Sequence, residues 1–231
     1  MDLFRSNHKL FDLVDANPNL LPVINRFGIR PGFKDKTVAE VCTEKNINKD
    51  FFLALVNTYN NPDYFPEEEL LGFSPVLIVD YLKRTHAYYL EYCLPRLESL
   101  LERLISGGRN SDRELTMIRS FYEKYKHEFL LHMKDEEENV FPVVLKMVKG
   151  DHIDNHPPAS LSFEKDHINM EDKLNDLKNL LIKYLAPDYN DNDFNEFLAS
   201  LFQFEKDITD HSRIEDHILV PQIAGIQRGR K

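Results

Sequence analysis

Two stretches of the chain carry the same skeleton of potential ligands. Residues 132–142 read His132-Met133-Lys134-Asp135-Glu136-Glu137-Glu138-Asn139-Val140-Phe141-Pro142. Residues 211–221 repeat it with His211, Glu215, Ile218-Leu219-Val220 and Pro221. Residues four apart on a helix differ by about 40° in direction and sit one turn apart. Each pair therefore offers an imidazole and a carboxylate on one face, and each histidine stands ten residues before a proline that closes an apolar run. Two such faces on separate long helices can converge on metal.

The chain around them is able to build those helices. It has 231 residues, 42% of them hydrophobic, enough for one large or two small domains with a buried core. Its apolar runs are too short to span a membrane, and the opening Met1-Asp2-Leu3-Phe4-Arg5 lacks the layout of a signal peptide. Only Cys42 and Cys93 occur, which excludes a disulfide scaffold or a thiolate metal site and fits a reducing cytoplasm. The net charge is −10: residues 1–60 are near neutral, and the rest carries the acidic excess. No basic stripe is present to neutralise phosphates, so neither nucleic acid nor a membrane is expected as a partner.

Local signals divide the chain near residue 70. Residues 1–70 read as short helices broken at Asn17-Pro18, Phe27-Gly28 and Arg30-Pro31-Gly32, with Thr37 and Glu40 forming a capping box and Asn48 capping the next helix. Asn60-Asn61-Pro62-Asp63 is a linker by its turn chemistry. Residues 71–231 change to long segments of helical period. Ser74-Pro75 starts the first, which stops at Gly107-Gly108. The second runs from Ser111 to about Lys149, the third from about Ser160 to Leu185, and the fourth from near Asp191 to about Ile223. No strand-like alternation competes with them. The expected fold is all-α: an up-down-up-down four-helix bundle preceded by a small helical domain.

The apolar seams of these segments each contain a histidine. The first gives Val79, Leu82, His86, Tyr89 and Cys93; the second Phe121, Tyr125, Glu128, His132 and Glu136. The third gives Phe163, His167, Met170 and Leu174; the fourth Phe204, Ile208, His211 and Glu215. His86 and His167 lie near the starts of their helices, the other two pairs in later halves. In an antiparallel bundle all six donors share one layer. A buried carboxylate costs several kcal/mol unless paired or bound to metal, and no lysine or arginine stands in the seams at that layer. Pro95 should kink the first helix by removing a backbone hydrogen bond.

Four imidazoles and two glutamates exceed the needs of one zinc but suit two first-row ions bridged by both carboxylates. Iron leads and manganese is second. Positions left open would take a solvent bridge and a small diatomic ligand, nitric oxide or oxygen. A ferritin-type site wants Glu-x-x-His on two helices, and only Glu164-Lys165-Asp166-His167 supplies one. Glu128, one turn before His132, and Asp166, next to His167, are placed to orient an imidazole or relay protons. His8, His127, His152, His156 and His217 read as surface or structural residues.

Residues 76–225 resemble a hemerythrin-like domain, and more closely the repair-of-iron-centres proteins. The resemblance rests on Thr85-His86 followed by Leu94-Pro95-Arg96-Leu97, on His132, Glu136 and Phe141-Pro142, on Asp166-His167, and on His211, Glu215 and Pro221. It implies one iron on His86 and His211, a second on His132 and His167, and bridging Glu136 and Glu215. Oxygen carriers of that type use one more histidine, where this chain has Glu171. Phe27-Gly28-Ile29 and Thr37–Cys42 are similar to the small domain preceding the bundle in repair proteins, but Arg30–Lys36 lacks their adjacent cysteine pair. Cys42 itself reads as a buried apolar residue.

Two functions follow as expectations. One is a non-haem di-iron protein of nitrosative and oxidative stress response, which handles nitric oxide or supplies iron to damaged iron–sulfur proteins. The alternative is a non-catalytic module that binds oxygen or nitric oxide and signals to a partner, a reading the missing cysteine pair favours. Whether the chain is an enzyme is open on sequence alone. The near-neutral N-terminal part and the Phe-rich linker are compatible with a homodimer.

Overall fold

The computed structural model describes residues 3–107, 113–151, 163–185 and 189–229. Among these residues the fold is all-α, with no strand and a single isolated bridge between Lys9 and Thr37. No described helix is long and apolar enough to cross a membrane. Packing gathers the chain into two units, residues 1–85 with 213–231, and residues 86–212. These limits fall inside continuous helices and cut the chain differently from the linker signals near residue 70.

The first unit opens with α1 (Leu10–Ala16), α2 (Leu20–Arg26), α3 (Val38–Glu44), α4 (Lys49–Asn60) and α5 (Glu67–Leu71). Its starts obey the expected chemistry. The Glu40 N–H donates to Thr37 Oγ1 at 3.3 Å, and the Thr37 N–H donates back to Glu40 Oε2 at 2.8 Å. Asn48 Oδ1 accepts from the N–H groups of Asp50 and Phe51 at 3.1 and 3.0 Å. Leu10, Leu13, Leu20, Val23, Phe52 and Leu55 are fully buried beneath these caps. Cys42 joins them, and burial pushes its thiol up to about 11, so it behaves as the small apolar residue expected.

The long helices follow: α6 (Pro75–Tyr88), α7 (Leu94–Gly107), α8 (Arg113–Asp135), α9 (Phe141–Lys149), α10 (Phe163–Tyr184), α11 (Asp191–Ile214) and α12 (Val220–Gly229). They make the four antiparallel passes of a hemerythrin-like bundle. Within residues 86–212 the core runs through Leu97 and Leu101, Tyr122 and Phe129, Leu174 and Leu177, and Phe197 and Leu201. These are the apolar seams read from the 3/4 spacing.

Three passes contain a feature that periodicity does not show. Tyr89–Cys93, Glu136–Val140 and Glu215–Leu219 are π-helical turns, in which Leu94, Phe141 and Val220 donate five residues back, to Tyr89, Glu136 and Glu215. The next residue is a proline each time: Pro95, Pro142 and Pro221. A proline ring collides with the carbonyl four residues behind it. Widening that turn moves the carbonyl aside and lets the helix continue. Pro95, expected to kink the helix, enters it behind such a π turn. Such turns are common at functional sites, and here two of them begin on the glutamates singled out by the His–Glu spacing.

Candidate metal centre

His86 lies at the end of α6, His132 near the end of α8, His167 in the first turns of α10 and His211 near the end of α11. Antiparallel passes bring these heights together. His86 and His211 face one another with their Nε2 atoms 3.2 Å apart. His132 and His167 do the same at 3.1 Å. Nitrogens that each bind one first-row ion at about 2.0–2.1 Å in a cis arrangement must stand roughly 3 Å apart. Both pairs have that spacing.

Glu136, 1% exposed, sits between the pairs. Its Oε2 is 3.3 Å from His86 Nε2, while its Oε1 is 3.0 Å from His132 Nε2 and 3.7 Å from His167 Nε2. Neither oxygen has a partner oriented for a hydrogen bond among the described residues. A buried carboxylate without such partners is costly, and this one turns an oxygen to each pair. Burial works to raise its carboxyl, but the neighbouring imidazoles outweigh burial and hold it well below the usual carboxylate range.

Donor atoms of His86, Glu136 and His211 lie within 4.8 Å of one another, as do those of His132, Glu136 and His167. Glu215, one turn beyond His211 on the continuing helix, is fully buried, with a donor atom within 4.8 Å of that of His211. Neutral imidazoles and ionised carboxylates without thiolate suit iron, manganese or zinc. The residues present thus fit a two-metal centre.

The surroundings differ between the pairs. His86 Nδ1 is 3.1 Å from Glu137 Oε1, and its ring stacks on Phe141 at 5.4 Å. The ring of Tyr89 meets His211 edge-on at 5.6 Å, and its hydroxyl donates to Asp207 at 2.7 Å. His132 is the least buried of the four, with 14% of its side chain exposed. A cavity of ≈ 10 Å³ touches both pairs, at His132, His167 and His211, and is greased by Phe129, Met133 and Met170. That is space for about one water-sized molecule.

Not every expected neighbour is at the centre. The half-buried Glu128 carboxylate is ion-paired with Lys173 of α10. The side chains of Asp166 and Glu164 lie outside the described residues, as do His152 and His156. His127 and His217 are exposed, and His8 is half-buried. Glu171 is half-buried one turn after His167. Glu137, Phe141 and Tyr89 were not assigned to the centre from spacing. The acidic run Asp135–Glu138 was the available signal for Glu137, but nothing local points it at a histidine 51 residues away.

Comparison with known proteins agrees with this geometry. The iron-sulfur cluster repair protein ScdA of Staphylococcus haemolyticus (strain JCSC1435) is 26% identical over 105 residues. That match covers 46% of this chain and 47% of ScdA, so it spans about half the length of either protein. Residues 77–224 match the hemerythrin HHE cation binding domain. Nearly the whole bundle lies within that match, including every histidine and glutamate placed above, and the chain belongs to the hemerythrin HHE cation-binding family.

Proposed function

We propose that residues 71–231 form a di-iron domain in which His86 and His211 hold one ion and His132 and His167 the other. Glu136 and Glu215 bridge the two. The small domain of residues 1–70 precedes it. The observation that carries this reading is Glu136, a buried carboxylate with one oxygen toward each of two facing imidazole pairs. A bound iron pair would supply open coordination positions and one-electron chemistry. The residues do the rest. Glu136 presents ionised oxygens, the imidazoles present Nε2, and Phe129, Met133 and Met170 keep bulk water from the cavity.

The activity that fits is the handling of nitric oxide, or the supply of iron to damaged iron–sulfur proteins, in a reducing cytoplasm under nitrosative or oxidative stress. The small apolar-walled cavity beside the imidazoles suits a diatomic molecule, and the partial match to a repair protein supports the second role. Sensing of oxygen or nitric oxide is the second reading, favoured by the absence of a cysteine pair in Arg30–Lys36.

Metal content and the visible spectrum of anaerobically purified protein, before and after air, test the centre. Two irons per chain and an oxo-bridge band that disappears in His132→Ala are expected. Zinc alone, or no stoichiometric metal after iron reconstitution, would sink the proposal. Turnover of nitric oxide, or restored activity of a damaged cluster enzyme, then separates the first reading from a ligand-dependent change in partner affinity.

A further inference from the structure

Three tyrosines, Tyr88, Tyr89 and Tyr92, stand close together where α6 passes into its π turn. Tyr89 is fully buried and meets the His211 ring edge-on at 5.6 Å. The half-buried Tyr88 ring lies 6.1 Å from that of Tyr89. Tyr92 stacks on Tyr88 at 5.4 Å with 21° between the planes, and is 51% exposed. All three separations are those of aromatic rings in contact. A continuous series of rings thus runs from an imidazole of the candidate centre to the surface. Packing alone accounts for a ring at Tyr89, between Phe129 and Phe204. Its hydroxyl adds what a phenylalanine could not: it donates to Asp207 Oδ1 at 2.7 Å, which couples a phenol to a base.

We propose that Tyr89, Tyr88 and Tyr92 form a redox relay that carries single electrons between the surface and the metal centre. The proposal rests on the di-iron reading and deepens it, by assigning a route for the one-electron chemistry of that centre. A phenol is oxidised far more readily than a phenylalanine ring, provided its proton can leave with the electron. Asp207 Oδ1 is placed to take that proton from Tyr89. Towards a centre left one electron short by peroxide, Tyr89 supplies the electron, and its hydroxyl proton passes to Asp207. Tyr88 then reduces Tyr89, which recovers its proton from Asp207, and Tyr92 reduces Tyr88. Tyr88 and Tyr92 exchange their phenolic protons with water. A water-soluble thiol ends the sequence at Tyr92. Its S–H bond breaks, the hydrogen atom restores the Tyr92 hydroxyl, and the thiyl radicals pair as a disulfide. The net transfer is one electron from thiol to centre, with one proton released to water.

The test mixes protein loaded anaerobically with iron(II), its metal content measured, with a stoichiometric amount of hydrogen peroxide. Freeze-quenched samples are read by electron paramagnetic resonance. In parallel samples a biotinylated phenol couples to surface tyrosyl radicals and is located by peptide mass spectrometry. A tyrosyl signal that narrows with ring-deuterated tyrosine is expected, with label at Tyr92. The metal-free protein given the same peroxide should show neither. Tyr89→Phe should lose both at unchanged iron content, and Tyr92→Phe should keep the signal. Asp207→Asn leaves every ring in place and decides the matter if Tyr89→Phe loses iron. Its amide accepts the hydrogen bond but not the proton, so radical formation should slow by roughly 100-fold. Label at Tyr92 that persists in Tyr89→Phe, or arises equally without metal, would mean oxidation from solution and would overturn the relay. So would an unchanged rate in Asp207→Asn, or two bound irons with no tyrosyl signal in the natural protein. Each of these leaves the di-iron reading standing. Failure to bind two irons would remove that reading and the relay with it.

Discussion

Glu136 and Arg26, charges of opposite sign, are buried in two regions of the molecule by opposite means. In the bundle, the anion Glu136 is ringed by imidazoles at 3.0–3.7 Å, groups whose lone pairs can serve a metal as readily as a proton. In the unit built from residues 1–85 and 213–231, the cation Arg26 is 4% exposed. Its Nη1 donates to the hydroxyls of Tyr59 and Tyr81 at 3.3 and 3.2 Å. Its guanidinium carbon stands 5.5 and 5.9 Å from the same two ring centroids. A guanidinium has no lone pair to lend and does not lose its proton, so it packs against phenols and π faces and offers nothing to a metal. The anion stands among lone pairs that a metal could share, and this contrast separates a buried charge that only packs from one that can also bind.

The largest effect should come from removing the anion. Glu136→Ala is expected to reduce bound iron from two per chain to less than one, by elemental analysis, with the far-ultraviolet helix signal unchanged. Retention of two irons per chain in the variant would show that Glu136 is not needed between the two pairs, and would erase the contrast.

Arg26→Ala should behave in the reverse way. It leaves two buried hydroxyls without their donor and opens a cavity, for a loss of about 2–4 kcal/mol in chemical denaturation. Iron stoichiometry should stay at two per chain under conditions where the variant is folded. A loss of metal in parallel with stability would mean the two charges are not separable in role.

The smallest effect concerns a charge that is not buried. Hydrogen bonding from Thr37, first by its backbone and then by its hydroxyl, holds the fully exposed Glu40 carboxyl below its ordinary value. Its stabilising contribution is therefore present above the ordinary Glu range, and is lost as pH falls through the lowered folded value. Glu40→Gln should flatten that part of the acid limb in a plot of melting temperature against pH, without touching metal content. An unchanged acid limb would show that the cap does not depend on the charge.

Much of this was legible from local pattern. The four helical passes follow from apolar residues at 3/4 spacing, with the first starting at Ser74-Pro75, and Thr37 and Asn48 mark the starts of α3 and α4. The donor set follows from histidines standing in seams that are otherwise Leu, Phe and Ile. What stayed hidden is instructive residue by residue. Glu128 sits in the seam as read, yet Lys173 meets it, because Lys173 arrives from another helix at a height that spacing does not specify. Pro95, Pro142 and Pro221 were visible as interruptions, but the response of the helix was not. A widened turn relieves the clash between a proline ring and the carbonyl four residues behind it.

By itself, then, the amino-acid order determined the all-α class, the caps and the facing of each His–Glu pair, because those depend on a helical period that repeats within a few residues. Only the tertiary structure decided that His86 meets His211 and His132 meets His167, that Glu136 lies between them, and that Glu137 reaches His86 from another helix. Those contacts join residues 35 to 125 positions apart. They are set by how antiparallel helices of particular length come into register, and no short stretch of sequence contains that information.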